Sequence, residues 1–265
     1  TYQDSQGRIW VGLLGGGLNL ISEANGTIAF KHKYNGLKQY PLYGLYMEVR
    51  TMTEDNDGRI WVGTMDGLMS FDGHFTNPEE IQFETYRQVS ERSNVADNDI
   101  YVLYKDSESQ IWVSVFGGGL NKLVHYDKER RVPVFKSYGI REGMNNDVVK
   151  SIVEDKDGNL WFTTEIGLSC FNKDTEQFRN YDRYDGFLNV ELEESSALRT
   201  LSGDLWLGSR QGILTFSPNK LETQNMNYDT RIVDFKISNR DLRSFHEDPV
   251  LKESITFADA IRLKY

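Results

Sequence analysis

The chain has 265 residues, with 40 acidic and 30 basic side chains and a formal charge of −10. Such a surface disfavours nucleic acid and anionic membrane, and a strongly polyanionic ligand as well unless a local basic patch overrides the average. No stretch is apolar and long enough to read as a membrane-spanning helix, no signal peptide is apparent, and the single cysteine, Cys170, excludes an internal disulfide.

Taken in chain order, one phrase returns five times. It reads Asp4-Ser-Gln-Gly7-Arg-Ile9-Trp10-Val-Gly12, then Asp55-Asn-Asp-Gly58-Arg-Ile60-Trp61-Val-Gly63. It continues as Asp106-Ser-Glu-Ser-Gln-Ile111-Trp112-Val-Ser114, Asp155-Lys-Asp-Gly158-Asn-Leu160-Trp161-Phe-Thr163, and a shorter Gly203-Asp-Leu205-Trp206-Leu-Gly208. All five tryptophans fall in it, spaced by 51, 51, 49 and 45 residues. A second phrase follows each at a matching offset: Gly17-Leu18, Gly67-Leu68, Gly119-Leu120, Gly167-Leu168 and Gly212-Ile213. A period of roughly 50 residues is the signature of a repeat architecture.

Each repeat predicts four short strands. The run before the aspartate is the first: Val49–Met52, Ile100–Leu103 and Val149–Ile152. Asp-x-x-Gly reads as a hairpin turn, with glycine supplying positive φ. Ile60-Trp61-Val62 is the second strand, β-branched and aromatic. Leu68–Phe71 is a third, after a glycine turn. The last carries Phe and Tyr three apart, as in Phe83 and Tyr86, Phe135 and Tyr138, and Phe178 and Tyr181. No run of ten or more residues has the helical apolar period. Four-stranded units of this length define an all-β β-propeller, whose blades bury their faces only against one another. Trp10, Trp61, Trp112, Trp161 and Trp206 are thus the expected repeat core. Burial of each against the next blade contributes on the order of 2–3 kcal/mol, and Trp→Ala at position 61, 112 or 161 should cost roughly 3–5 kcal/mol.

The ends break the pattern. The chain opens inside a repeat phrase, as expected of a piece of a longer protein, so the first repeat should lack its inner strand. The last should lack its outer one, giving about 18 strands where a closed five-bladed ring would need roughly 20. An incomplete ring with missing blades upstream is expected. Its open edge would be an unpaired-strand hazard, so dimerisation, or membership of a larger ordered domain, is expected too. Residues 1–222 form the propeller part. From 223 to 265 the phrase vanishes. Arg231–Ile237 alternates like a strand, Asn239-Arg-Asp reads as a turn, and Ile255–Phe257 and Ile261–Leu263 read as strands. This resembles the opening of a truncated β-sandwich domain.

The phrase Glu54–Thr64, with Gly17-Leu18-Asn19 and Gly119-Leu120-Asn121, resembles the two-component regulator propeller repeat. The copy Gly212-Ile-Leu-Thr-Phe216-Ser-Pro218 is similar to that family's last blade, and residues 230–265 look like the start of the tyrosine-rich, immunoglobulin-like domain that follows it. The third repeat departs from the pattern, with Gln110 where glycine is usual and Ser114 after Trp-Val. The resemblance implies the periplasmic sensor region of a hybrid two-component system. In that family the propellers sense a carbohydrate, and the following domain passes the signal across the membrane to a histidine kinase that regulates transcription. It implies no catalysis in this chain.

Candidate chemistry divides as follows. The Asp55-x-Asp57 and Asp155-x-Asp157 pairs suggest calcium, but the twelfth loop positions, Asp66 and Ile166, are not the glutamate an EF-hand requires, and hairpin-turn aspartates explain them. His32, His74, His125 and His246 lack metal spacing, so no metal or cofactor is expected. Glu79, Glu80, Glu165, Asp185, Glu191, Glu193 and Glu194 could supply a glycosidase pair only if the fold set two at the proper separation. A sharper pattern lies eleven residues before Trp61, Trp112 and Trp161. There stand Arg50, Tyr101 and Lys150, each after a β-branched residue. Inner strands line a propeller's channel, and long polar and aromatic side chains suit sugar hydroxyls and faces. With Tyr43 and Tyr46 just upstream, they form a candidate ligand mouth for an oligosaccharide. The competing reading is a solvated channel or a bridge between blades. A protein-interaction propeller without a small ligand is the alternative function, and a propeller glycosidase a third.

Overall fold

The computed structural model describes residues 1–24, 26–87, 98–181, 190–221, 236–237 and 240–241. The chain divides into two compact units, Thr1–Leu221 and Glu222–Tyr265. The first is a β-propeller arc of five antiparallel sheets, each in sequence order. Blade one holds β1 (Tyr2–Gln3), β2 (Ile9–Leu13), β3 (Gly17–Ala24) and β4 (Thr27–Lys31). Blade two holds β5 (Val49–Glu54), β6 (Arg59–Thr64), β7 (Gly67–Asp72) and β8 (Glu84–Tyr86). Blade three holds β9 (Ile100–Lys105), β10 (Ile111–Val115), β11 (Gly119–Asp127) and β12 (Val132–Tyr138). Blade four holds β13 (Val149–Glu154), β14 (Leu160–Thr164), β15 (Gly167–Asn172) and β16 (Gln177–Tyr181). Blade five holds β17 (Leu192–Arg199), β18 (Leu205–Ser209) and β19 (Gly212–Phe216). The helices among the described residues are short 3-10 turns.

The alternation of side chains along a strand explains the stacking. In β6, Ile60, Trp61 and Val62 are all fully buried. Ile60 and Val62 face back into a core with Trp10 of blade one. Trp61 faces forward into a core with Ile111 and Val113 of blade three. The pattern recurs with Trp112 between blades three and four and Trp161 between blades four and five. Each of the first four tryptophans meets an aromatic ring of the next blade: Trp10 and Phe71 at 5.1 Å, Trp61 and Tyr126 at 5.9 Å, Trp112 and Phe171 at 5.7 Å, Trp161 and Phe216 at 5.3 Å. Close approach of blades is built into the phrase. A Cβ at Gly63 would lie 2.7 Å from Ile100 of blade three.

The turn aspartates are joined to these tryptophans. Asp4, Asp55, Asp106 and Asp155 each accept the indole N–H six residues on through Oδ2, at 2.9, 2.8, 2.9 and 2.7 Å. Oδ1 accepts the amides two and four residues on, as in Asp55 with Asp57 (3.0 Å) and Arg59 (2.9 Å). Every carboxylate is thus engaged by its own hairpin, and Asp106 Oδ2 also accepts from Lys173 of blade four at 3.1 Å.

Three expectations need correction. Blade one does have an inner strand: Tyr2 and Gln3 pair with Trp10 and Ile9. The five sheets therefore hold 19 strands among the described residues rather than 18. In the third turn it is Ser109, at φ 66°, that takes the left-handed place of glycine (Gly58, φ 78°), and Gln110 aligns with Arg59. Ser114 uses its departure from glycine, since its hydroxyl donates to the Val149 carbonyl of the next blade.

Among the described residues, none of the four apolar cores joins blade five to blade one. Trp206, expected in the repeat core, is instead exposed on blade five, because none of these cores covers its outer face; Ile213 beside it is exposed too, and so are Ile28 and Phe30 on blade one. In the second unit, Lys236–Ile237 pairs antiparallel with Arg240–Asp241. The remaining strands expected there, and its sandwich character, lie outside the described residues.

Candidate functional site

The inner strands share one irregularity. In blade two, Val49 pairs with Thr64 and Thr51 with Gly63, so the ladder skips Arg50. In blade three it skips Tyr101, between Ile100 opposite Val115 and Val102 opposite Ser114. In blade four it skips Lys150, between Val149 opposite Thr164 and Ser151 opposite Thr163. A β-bulge leaves one residue unpaired and re-aims its side chain. The cause is local: Val49, Ile100 and Val149 are buried apolar anchors, and the following residue returns to the ladder, so the residue between is turned out. The column eleven residues before each tryptophan is this bulge column.

Two of the three meet directly. The Arg50 guanidinium lies over the Tyr101 ring, 4.8 Å from its centroid. Its Nη2 donates to Asp99 Oδ2 at 2.8 Å. Its Nε stands 2.7 Å from Asp99 Oδ1 as an ion pair, too bent for a hydrogen bond. Its Nη1 donates to Glu194 Oε2 at 2.7 Å. Tyr101 also packs on Phe116, centroids 5.6 Å apart. Lys150 Nζ reaches the Leu192 carbonyl of blade five at 3.4 Å. Burial raises the Asp99 pKa above the ordinary carboxylate value; Arg50 opposes this and Glu194 adds to it. Burial likewise raises the Tyr101 hydroxyl, with Glu194 and Asp99 reinforcing it.

Asp99, Glu194 and Ser195 are members that the repeat column did not single out. Ser195 stands eleven residues before Trp206, so the same offset points to it. In blade five the bulge is enlarged: Leu192 pairs with Ser209 and Ala197 with Leu207, so Glu193–Ser196 face the single Gly208. Ser195 Oγ donates to the Tyr101 carbonyl at 3.4 Å.

Tyr43 and Tyr46 form a different group. Tyr43 is exposed and shares a 3.0 Å hydrogen bond with Thr85. Tyr46, 1% exposed, packs in the core between blades one and two, its ring 5.5 Å from Tyr43. Arg87 and Asp66 pair beside them.

The other candidates are placed as follows. Among the described residues no group of three or more His, Cys, Asp or Glu side chains is arranged to hold a metal. His74 lies on Asp72, and Glu79 on Lys38. Glu191 and Glu193 both pair with Arg210. Asp185 and His246 lie outside the described residues. Cys170 is a free, partly buried thiol, and burial pushes its pKa up to about 12. A groove of about 690 Å³ between blades two and three is lined by Arg59, His74, Glu84, Tyr126 and Arg131. Its two arginines are paired, since Glu84 accepts from Arg59 (2.8 Å), Tyr86 (2.8 Å), Tyr126 and Arg131 (2.6 Å).

Stacked four-stranded blades carrying a polar cluster on their inner-strand bulges define a repeat propeller with a candidate binding mouth. Residues 44–66 and 143–165 match the family model described as two component regulator propeller, so repeats of that kind are present in this chain. Over 267 aligned residues the chain is 28% identical to Histidine kinase P4 of Formosa agariphila, covering all of this chain and 18% of that protein. The extracellular domain of a one component system from B. thetaiotaomicron superposes with a TM-score of 0.62 at 22% identity, over 82% of this chain and 29% of that one. PorZ, a surface component of the type-IX secretion system of Porphyromonas gingivalis, gives 0.59 at 18% identity, over 81% of this chain and 31% of that one. These two likenesses show the propeller fold. The chain spans less than a third of each of these relatives. Among the described residues no helix is long and apolar enough to cross a membrane.

Proposed function

We propose that this chain is the ligand-sensing propeller region of a sensor histidine kinase, lying outside the cytoplasm, and that its ligand is a carbohydrate. The kinase assignment rests on the two component regulator propeller match and on a relative named as a histidine kinase. The ligand assignment rests on one observation: Arg50, stacked on Tyr101 at 4.8 Å, stands on the inner-strand bulges beside Asp99 and Glu194. An aromatic face, a planar donor and, in Asp99, a carboxylate acceptor are what sugar rings and hydroxyls need. The chain binds and does not catalyse. Residues beyond Leu221 pass the bound state across the membrane to a kinase and so to transcription.

The test is a thermal-shift screen of the protein against an oligosaccharide panel, because a ligand that binds only the folded state raises the midpoint by mass action. One glycan class should raise it dose-dependently and be recovered intact, and Arg50→Ala and Tyr101→Ala should abolish the rise. Release of new reducing ends would make the protein an enzyme. A flat panel would favour a protein-interaction propeller or a homodimer, a reading to which the exposed Ile28, Phe30, Trp206 and Ile213 lend support.

A further inference from the structure

We propose that the enlarged bulge of β17, Glu193–Ser196, is a latch that ties the last blade to blades two and three, and that a ligand at the mouth opens it. This rests on the reading of the Arg50–Tyr101 cluster as the ligand site. Four residues stand where the partner strand offers only Gly208. A Cβ at Gly208 would lie 2.7 Å from Ser196, so glycine there makes room for the loop. Ser195 sits at φ 51°, a conformation that L side chains adopt at a cost. The loop uses it to set Glu194 on Arg50 Nη1, 144 residues away in sequence, and Ser195 on the Tyr101 carbonyl. Arg210 holds Glu193 at 3.2 Å from the other side.

Blade five needs such a tie. Blades two, three and four each share apolar cores with both neighbours, whereas the cores found among the described residues join blade five to blade four alone. Glu194 is 41% exposed and Arg50 21%, so the pair opens without unfolding the core. A ligand oxygen that takes Arg50 Nη1 occupies the place of Glu194 Oε2. Binding and latch closure therefore compete, and opening frees β17, which continues through β18 and β19 to Leu221. By linkage, the ligand loosens the last blade to the extent that the closed latch weakens the ligand.

Hydrogen exchange on the ligand-free chain tests the latch without knowledge of the ligand. Glu194→Ala should speed amide exchange roughly twofold to fivefold in β17, and in β18 and β19 as well, with β14 unchanged, as the loss of one partly exposed ion pair allows; Glu194→Lys should do more. Sodium chloride at 1 M should speed the same amides in the wild type and not in Glu194→Ala, because the pair is solvent-accessible and screened. Unchanged exchange in β17, or a change that stops at β17, overturns the proposal. With any glycan found by the panel, Glu194→Ala should bind more tightly; equal or weaker binding makes Glu194 a ligand contact and also overturns it. A silent panel removes the ligand reading, whereas the exchange arms still decide the latch.

Discussion

Asp55 and Trp61 are joined by a hydrogen bond of 2.8 Å from the indole Nε1 to Oδ2, and that bond recurs in the first four repeats. It explains why aspartate leads the phrase: one oxygen closes the hairpin and the other fixes the ring that seals the next blade. Asparagine keeps only one acceptor oxygen, and alanine none. Asp55→Ala should therefore cost roughly 2–3 kcal/mol, from a charge-assisted network lost around a buried indole, and Asp55→Asn less. Urea denaturation measures both. Calcium or EDTA should leave the wild-type midpoint unmoved, because these carboxylates are already committed.

The fifth repeat lacks that bond. Thr200 stands in place of aspartate and its single oxygen accepts the Asp204 amide at 3.0 Å. Trp206 is 42% exposed, against 0% for Trp61. Trp61→Ala should cost roughly 3–5 kcal/mol. Trp206→Ala should cost about 1 kcal/mol or less, in line with surface substitutions. Equal losses in parallel melts would show that Trp206 is covered in solution.

Glu84 predicts an acid limb. Burial works to raise its pKa, but hydrogen bonds from Tyr126 and Tyr86, with the charge of Arg59 and the bond from Arg131, bring it below the ordinary value of 4.5. A carboxylate depressed in the folded state stabilises fully above its unfolded pKa, and that contribution is lost as pH falls through the folded one. Stability should thus decline below about pH 4.5. Glu84→Gln should lower stability at pH 7 and flatten that decline. An unchanged slope in Glu84→Gln would remove Glu84 from the acid response.

Cys170 should be inert in the folded chain. With the thiol pushed up to about 12, almost no thiolate exists at pH 8, and the thiolate is the reactive form. Iodoacetamide at pH 8 should label it only after denaturation. Rapid labelling of the native protein would mean that blade four opens.

The repeat, its strands and the order of the blades are legible in the sequence because they depend on local patterns. Alternation along Ile60-Trp61-Val62, a glycine at positive φ in Gly58, and a fixed period specify a blade from within its own roughly 50 residues. The polar column at Arg50, Tyr101 and Lys150 is legible for the same reason, as an offset from each tryptophan. Its physical origin was not. A bulge is a property of the register between two strands, and no single strand reveals it.

Tertiary structure alone decided the rest. Tyr46 lies beside Tyr43 in the sequence, yet one ring is buried between blades and the other is exposed, since blade stacking chooses which face is covered. Ser109, and not Gln110, takes the left-handed turn because the hairpin closes on the Asp106 carboxylate. In the sequence Glu194 is one of seven candidate carboxylates, with nothing to pair it to Arg50. It becomes the partner of Arg50 only because the arc of blades brings inner strands 144 residues apart around one channel, and because four bulged residues face one glycine. Local sequence determines which elements form; how their ends converge is decided by the packing of whole sheets, whose energy is spread over every blade interface at once.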